Sequence, residues 1–419
     1  MSEPNTDRDD LIYDWNVTED YPKPPHKIEF DDETLRDGLQ CPSVNAPPLA
    51  DRVRLLELMS QLGLGYVNVG LPGAGQHVVD VVTKLVEEIR DSKLDLEPNC
   101  AARTVEADIV PVAEIQQKTG VPIEVSTFIG SSQIRAYVED WSLDTMLKHS
   151  RNALKIAERE NLEVMFVTED TTRAHPKILE ALYGAALKSP ATKRLCFCDT
   201  VGHSIPQGAV NLIKWGAELV KKSGRTDVKI DWHGHMDRGL GVPNAIAAIQ
   251  AGAHRVHGTG LGIGERAGNC PMDQLLVNLR LVGWIDNDLS ALGEYVELTS
   301  KGTGVPIPVS YPVFGRDAFE TGTGVHAAAV IKAENKGDAW LANRVYSGVP
   351  ADMVGLKQII RVGPMCGKSN VVYWLKENGY DANDAQVERL FAAAKDATKL
   401  LEDSELHALA KAGSGATAN

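Results

Sequence analysis

Short apolar runs alternate with longer amphipathic stretches along most of the chain. Eight segments read as β-strands: 27–33 (KIEFDDE), 66–71 (YVNVGL), 94–102 (LDLEPNCAA), 122–129 (PIEVSTFI), 163–169 (EVMFVTE), 194–200 (RLCFCDT), 228–235 (VKIDWHGH) and 255–260 (RVHGTG). The stretches between them fit helices. Residues 51–62 (DRVRLLELMSQL) and 150–160 (SRNALKIAERE) place apolar side chains at i, i+3 and i+4, which is one face of a 3.6-residue period. Eight alternating β and α units predict an α/β fold, a closed parallel (β/α)8 TIM barrel. The rival is an open doubly wound sheet, which wants a Gly-rich phosphate turn after its first strand. Here the first strand runs into DDETLRDGLQ, which is charged and has one Gly.

The pattern changes after about residue 298. Residues 302–350 are rich in Gly, Pro and Val, and 384–411 return to a helical pattern. The expected division is an N-terminal tail over 1–26 and a barrel domain over 27–300. A mostly helical C-terminal extension over 301–410 and a disordered tail over 411–419 complete it.

Composition narrows the function classes. The 419 residues exceed what a barrel alone needs, about 250. Apolar residues make up 43%, enough for a large core, and 37 Gly suit many tight strand-to-helix turns. The net charge of −14, with no Lys/Arg-rich run, argues against a nucleic-acid partner. Six scattered Cys form no C-x-x-C pair and read as reduced, buried thiols of a cytoplasmic protein. Cys196 and Cys198 lie two apart on one strand, where thiols on the same face do not readily bond to each other. No signal-peptide pattern and no run of 18 apolar residues occur, so no membrane span is expected.

The active site of a TIM barrel lies at the C-terminal ends of its strands, and polar residues gather there. Arg36, Asp37 and Gln40 follow strand one, and Glu169, Asp170 and Arg173 end strand five. Asp199 and Thr200 end strand six, His233, His235 and Asp237 end strand seven, and Glu265, Arg266 and Asn269 follow strand eight. His233 and His235 are the sharpest feature. Residues two apart on a strand point the same way, so both imidazoles can aim at one point. With Asp37 they would make an open two-His, one-carboxylate site for Zn²⁺, Mn²⁺ or Fe²⁺. Arg36 would be a fixed cation beside it, suited to a developing alkoxide. Thr200 reads equally as a donor to a substrate carboxylate or as a cap, and Glu169 as a base or as a partner of Arg173. GTGLGIGERAGN has the look of a glycine-rich anion turn before a helix.

DETLRDGLQ, EDTTR, DTVG, HGHMDRG and GIGERAGN stand in the order and spacing of a known family. The chain resembles the isopropylmalate, homocitrate and citramalate synthases, metal-dependent TIM-barrel acyl-CoA carboligases, over roughly residues 27–400. The resemblance implies that Asp37, His233 and His235 hold a divalent metal (Mn²⁺, Zn²⁺ or Mg²⁺), with Asn269 at or near it. It implies that Arg36 and Glu169 are catalytic, that Thr200 contacts the 2-oxo acid carboxylate, and that acetyl-CoA is the co-substrate. It further implies a homodimer in which His326 and Tyr346 of the C-terminal extension complete the partner's site. The implied reaction joins the acyl-CoA methyl carbon to the keto carbon of a 2-oxo acid, and water then cleaves the thioester. Base catalysis falls to His326 acting with Glu169.

Two departures are expected to touch the pocket: Met236 stands where many members have Asn, and Asn68 where many have an acidic residue. For the 2-oxo acid, GERAGN resembles the isopropylmalate branch. SSQIRA resembles the homocitrate branch, in which an Arg at the place of Arg135 binds a second carboxylate. The alternative for Arg135 is a pairing with Glu139 or Asp140. Gln40, Arg135, Thr200 and Arg173 are thus the candidate substrate contacts. The isopropylmalate-type reading is placed ahead of a homocitrate or related tricarboxylate synthase. Two rivals remain. RDGLQ also resembles 3-hydroxy-3-methylglutaryl-CoA lyase, but Cys270 lies in GNCPMD rather than in that family's cysteine loop. A non-catalytic metal-binding paralogue would be expected to lose Arg36, Asp37 or a His, and all are present.

Overall fold

The computed structural model describes residues 11–16 and 23–412. The expected tails fall mostly on residues outside these. Eight parallel strands close into a barrel in chain order: β1 (Glu29–Asp32), β2 (Gly65–Asn68), β3 (Leu96–Arg103), β4 (Glu124–Gly130), β5 (Glu163–Glu169), β6 (Thr192–Asp199), β7 (Lys229–Gly234) and β8 (Arg255–Gly258). Hydrogen bonds between β1 and β8 complete the ring, with Asp31 opposite His257. The predicted (β/α)8 barrel is therefore the observed fold.

Around it run α1 (Leu49–Gln61), α2 (Gln76–Asp91), α3 (Glu106–Thr119), α4 (Gln133–Val138), α5 (Leu143–Arg159), α6 (Pro176–Ala186), α7 (Pro206–Ser223), α8 (Gly241–Ala251), α9 (Met272–Leu281) and α10 (Leu292–Thr303). Residues 14–306 form one compact unit. A second unit, built from residue 307 onward, carries α11 (Gly324–Asn335), α12 (Ala339–Ala342), α13 (Lys368–Glu377), α14 (Asp384–Asp396) and α15 (Asp403–Lys411). It also holds a two-stranded parallel sheet, β9 (Glu320–Thr321) with β10 (Ile359–Ile360). Its last three helices pack Trp374, Leu375, Val387, Leu390 and Leu406 into a core of their own. Among the described residues no helix is long and apolar enough to cross a membrane.

Alternation along the strands sorts the barrel's two faces. On β6, Leu195 and Phe197 turn outward, and Phe197 lies so close to α7 that only Gly fits at 216: a Cβ there would sit 2.4 Å from the ring. The inward residues of β1, β7 and β8 are polar instead of aliphatic, and β6 adds Arg194. Asp31 accepts from Asn99 Nδ2 at 2.9 and 3.0 Å. Arg255, wholly buried, pairs with Asp231 at 2.6 Å and Glu124 at 2.6 Å, and Arg194 pairs with Glu29 at 2.6 Å and Asp231 at 3.1 Å. The Tyr66 ring lies under both guanidinium groups, at 4.6 and 4.8 Å. A barrel interior is more often packed with Val, Ile and Leu.

Such a network is costly to break from one side, because the remaining charges stay buried without partners. Arg255→Leu is expected to destabilise the protein by about 3–5 kcal/mol. Chemical denaturation followed by tryptophan fluorescence measures this. A loss under about 1 kcal/mol would mean that the acids protonate or rehydrate freely.

Candidate active site

A cavity of about 480 Å³ opens where the barrel strands end. Its wall includes Arg36, Asp37 and Gln40 from the β1 loop, Glu169 from β5, Thr200 after β6, and His233 and His235 from β7. Arg135 of α4 and Glu265 and Arg266 of the β8 loop also reach it.

The two imidazoles meet as their spacing predicts. His233 Nε2 lies 3.3 Å from His235 Nε2 and 3.3 Å from Asp37 Oδ2, and His235 Nε2 lies 3.5 Å from that same oxygen. Three atoms, each able to offer a lone pair to an ion once unprotonated, thus converge. Side chains sharing one ion at about 2.0–2.2 Å, at octahedral to tetrahedral angles, stand about 3.0–3.5 Å apart. The set is buried, and all of its donors are nitrogen or oxygen. Asn269 Nδ2 donates to Asp37 Oδ2 at 2.5 Å, while Asn269 Oδ1 is buried with no hydrogen-bond partner among the described residues. With its nitrogen on Asp37 and its oxygen toward Gly264, the Asn269 amide borders the triad. The residues therefore fit a divalent cation.

Charge around the triad is arranged to keep Asp37 ionised. Burial works against its carboxylate, but the Arg36 guanidinium, 2.9 Å away, and His233 hold its pKa well below the usual range. Arg36 also donates to Glu33. Its own burial is outweighed by Asp37 and Glu33, so it stays charged. Burial lowers His235 to about 4, helped by the neighbouring His233, which leaves a neutral imidazole able to ligate.

Behind the triad stands a second group that sequence reasoning missed. His233 Nδ1 lies 3.4 Å from His257 Nδ1 and 3.7 Å from Glu33 Oε1. His257 is itself held by Glu33 at 3.2 Å and Asp231 at 3.3 Å. Burial opposes its protonation, yet those two carboxylates push it up to about 10. The Glu33–His257 pair thus fixes the ring on which Nε2 faces the triad, the outer-sphere role that orients ligating imidazoles. A signal was present in the sequence: polar residues at alternate positions in β1 (Asp31, Glu33), β7 (Asp231, His233) and β8 (Arg255, His257).

The other candidates divide. Thr200 Oγ1 accepts from the Asp170 amide at 2.8 Å, which leaves its hydrogen to donate into the cavity. Burial raises the pKa of Glu169, with Arg135 and Arg36 opposing. Arg173 is not among the cavity residues. It grips Asp170 in a two-pronged pair at 2.7 and 2.8 Å, and this carboxylate, not Glu169, is its partner. Arg135 lines the cavity but is half exposed and pairs with Glu139 at 2.9 Å. His326 and Tyr346 belong to the second unit, where their rings stack at 4.2 Å.

Neither departure from the family pattern lines the cavity. Met236 packs its sulfur against the Gly241 amide at 3.1 Å, and the Asn68 side chain accepts from Gly70. Close packing requires the glycines of GTGLGIGERAGN. A Cβ at Gly264 would lie 2.0 Å from Asn269 Oδ1, and one at Gly268 1.8 Å from the Gly262 carbonyl. The loop folds tightly on itself and delivers Asn269 to Asp37.

Barrel, cavity and triad together define a TIM-barrel protein with a prospective metal centre at the strand ends. The sequence model of the HMGL-like family matches residues 27–297, and the chain belongs to that family. It is 30% identical to the "Probable 2-isopropylmalate synthase" of Archaeoglobus fulgidus, over 92% of this chain and 73% of that one. It is 28% identical to a homocitrate synthase of Methanopyrus kandleri, covering 92% of each. It is also 28% identical to a 2-isopropylmalate synthase of Lactococcus lactis subsp. cremoris, covering 91% and 73%. Its relatives are thus the carboligases whose motifs it carries. Among solved structures, hydroxymethylglutaryl-CoA lyase from Pseudomonas aeruginosa matches with a TM-score of 0.55 at 18% identity, over 67% of this chain and 94% of that one. That likeness shows the barrel fold.

Proposed function

We propose that this protein condenses acetyl-CoA with a 2-oxo acid and hydrolyses the thioester, as a 2-isopropylmalate synthase does. The convergence of Asp37, His233 and His235 on one point beneath Arg36 carries the reading. Asp37, His233, His235 and Asn269 hold the divalent cation, Mn²⁺, Zn²⁺ or Mg²⁺. When bound, that ion supplies Lewis-acid polarisation of the keto group.

The chain's own residues do the rest. Arg36 offers a fixed positive charge to the alkoxide that forms at the keto carbon. Thr200 donates to the substrate carboxylate, and Gln40 offers an amide at the cavity rim. Glu169, whose pKa burial raises, is poised to work with His326 in removing a proton from the acyl-CoA methyl group. The protein acts in the cytoplasm, in leucine biosynthesis, as a homodimer in which His326 and Tyr346 serve the partner's site.

An apolar 2-oxo acid such as 2-oxoisovalerate is favoured over a dicarboxylate. Ala101, Phe128, Met165, Val167, Cys196 and Cys198 make a neutral wall, and the charge of Arg135 is already engaged by Glu139. A panel of 2-oxo acids with acetyl-CoA and Mn²⁺ or Mg²⁺, followed by free CoA release, tests this. The expected result is highest kcat/KM with 2-oxoisovalerate and less than about threefold change in Arg135→Ala, since an exposed ion pair contributes little. If 2-oxoglutarate is preferred, and the variant loses more than about 100-fold with it alone, Arg135 is a carboxylate receptor and the homocitrate-type reading takes over. No CoA release with any 2-oxo acid would remove the synthase reading altogether.

A further inference from the structure

The inward face of β6 carries two thiols that the reading above counts only as neutral wall, with no use for their sulfur chemistry. Cys196 and Cys198 turn into the barrel, and both line the cavity wall. Both are free, and their sulfur atoms lie 3.8 Å apart. They form one buried cluster with Met165, against which Val167 packs. Cys198 sits beside His233 in the β6–β7 register, so the pair is next to the triad but shares no member with it.

The separation decides what the pair can do. A disulfide needs sulfur atoms about 2.05 Å apart. Two thiolates on one tetrahedral cation, each at about 2.3 Å, stand about 3.8 Å apart. The thiols therefore already hold the spacing of a shared soft ion.

We propose that Cys196 and Cys198 form a two-thiolate clamp for a thiophilic divalent cation such as Zn²⁺ or Cd²⁺, separate from the Asp37–His233–His235 centre. On binding, two S–H bonds break, two sulfur–metal bonds form and two protons pass to solvent, with no change in oxidation state. The dication cancels both thiolate charges, so the complex leaves no net charge on a largely apolar wall. Its remaining coordination positions open to the cavity. Hard ions such as Mg²⁺ prefer oxygen ligands, so the two centres select different cations.

Cadmium titration of the Mg²⁺-loaded protein, without substrates, tests the clamp through thiolate-to-cadmium charge-transfer absorbance. Cadmium bound by nitrogen and oxygen alone does not produce that band. The expected result is a band that saturates at one thiolate-bound cadmium per chain. It should vanish in the Cys196→Ser/Cys198→Ser double variant and fall to half intensity, with about 100-fold weaker binding, in Cys196→Ala. Should the double variant not fold, X-ray absorption on the unaltered protein with two zinc equivalents gives an independent reading, in which half of the zinc must show two sulfur neighbours at about 2.3 Å. No band in the unaltered protein, an undiminished band in the variants, or zinc bound only by nitrogen and oxygen would overturn the proposal. Because no substrate is present, failure of the synthase reading leaves this measurement intact.

Discussion

Asp37→Ala is expected to fold, to lose measurable affinity for Mn²⁺ or Mg²⁺, and to release no CoA above background. Asp37 is the single anion of the triad, and its Oδ2 is the atom that His233, His235 and Asn269 all face. Removing a partner that only orients a ligand costs about 10–100-fold in metal affinity or activity. Removing the anionic ligand should therefore cost more than about 100-fold. Arg36 keeps its contact with Glu33, so the barrel rim is not left with an unpaired cation. Calorimetric titration with Mn²⁺, paired with a CoA-release assay, measures both losses. A dissociation constant within about threefold of the parent would refute the assignment of this carboxylate.

Arg36→Gln should separate chemistry from metal binding. Its guanidinium touches Asp37 Oδ1, whereas the imidazoles face Oδ2, so the metal-facing oxygen keeps its partners. Turnover is expected to fall about 100- to 1,000-fold, the usual cost of one preorganised donor to a developing oxyanion. Metal affinity should change much less. The variant also carries a pH signature. Burial holds the Glu169 pKa up, and Arg36 is one of the cations that pull it down. Without Arg36 the carboxyl rises further, and a base must be ionised to act. The acid limb of kcat/KM should therefore move to higher pH. An unmoved limb with full turnover would take both residues out of the mechanism.

Much of this was legible before any tertiary structure was considered. The eight strands, their alternation with helices, and the aim of His233 and His235 all follow from local rules: a strand repeats every two residues, a helix every 3.6. That is why the strand segments and the triad emerge from the chain alone. The partner of Arg173 was not legible, for the opposite reason. Arg173 follows a strand end, as catalytic residues do, but a left-handed backbone at Asp170 turns that carboxylate into its reach. The packing role of the glycines in GTGLGIGERAGN was hidden likewise, since a Gly required by close packing and one required by an anion look alike in sequence.

Taken alone, the sequence determined the barrel, the strand-end address of the chemistry and four members of its charged core: Arg36, Asp37, His233 and His235. Only closure of the ring decided the remainder. It set β1 against β8, so that Glu33 and His257, 224 residues apart, meet behind His233. It also stacked Arg194, Arg255, Asp231 and Glu124 within one barrel. The physical reason is register. Periodicity says which face a side chain takes, but which side chain it meets there depends on backbone hydrogen bonds between strands far apart in the chain.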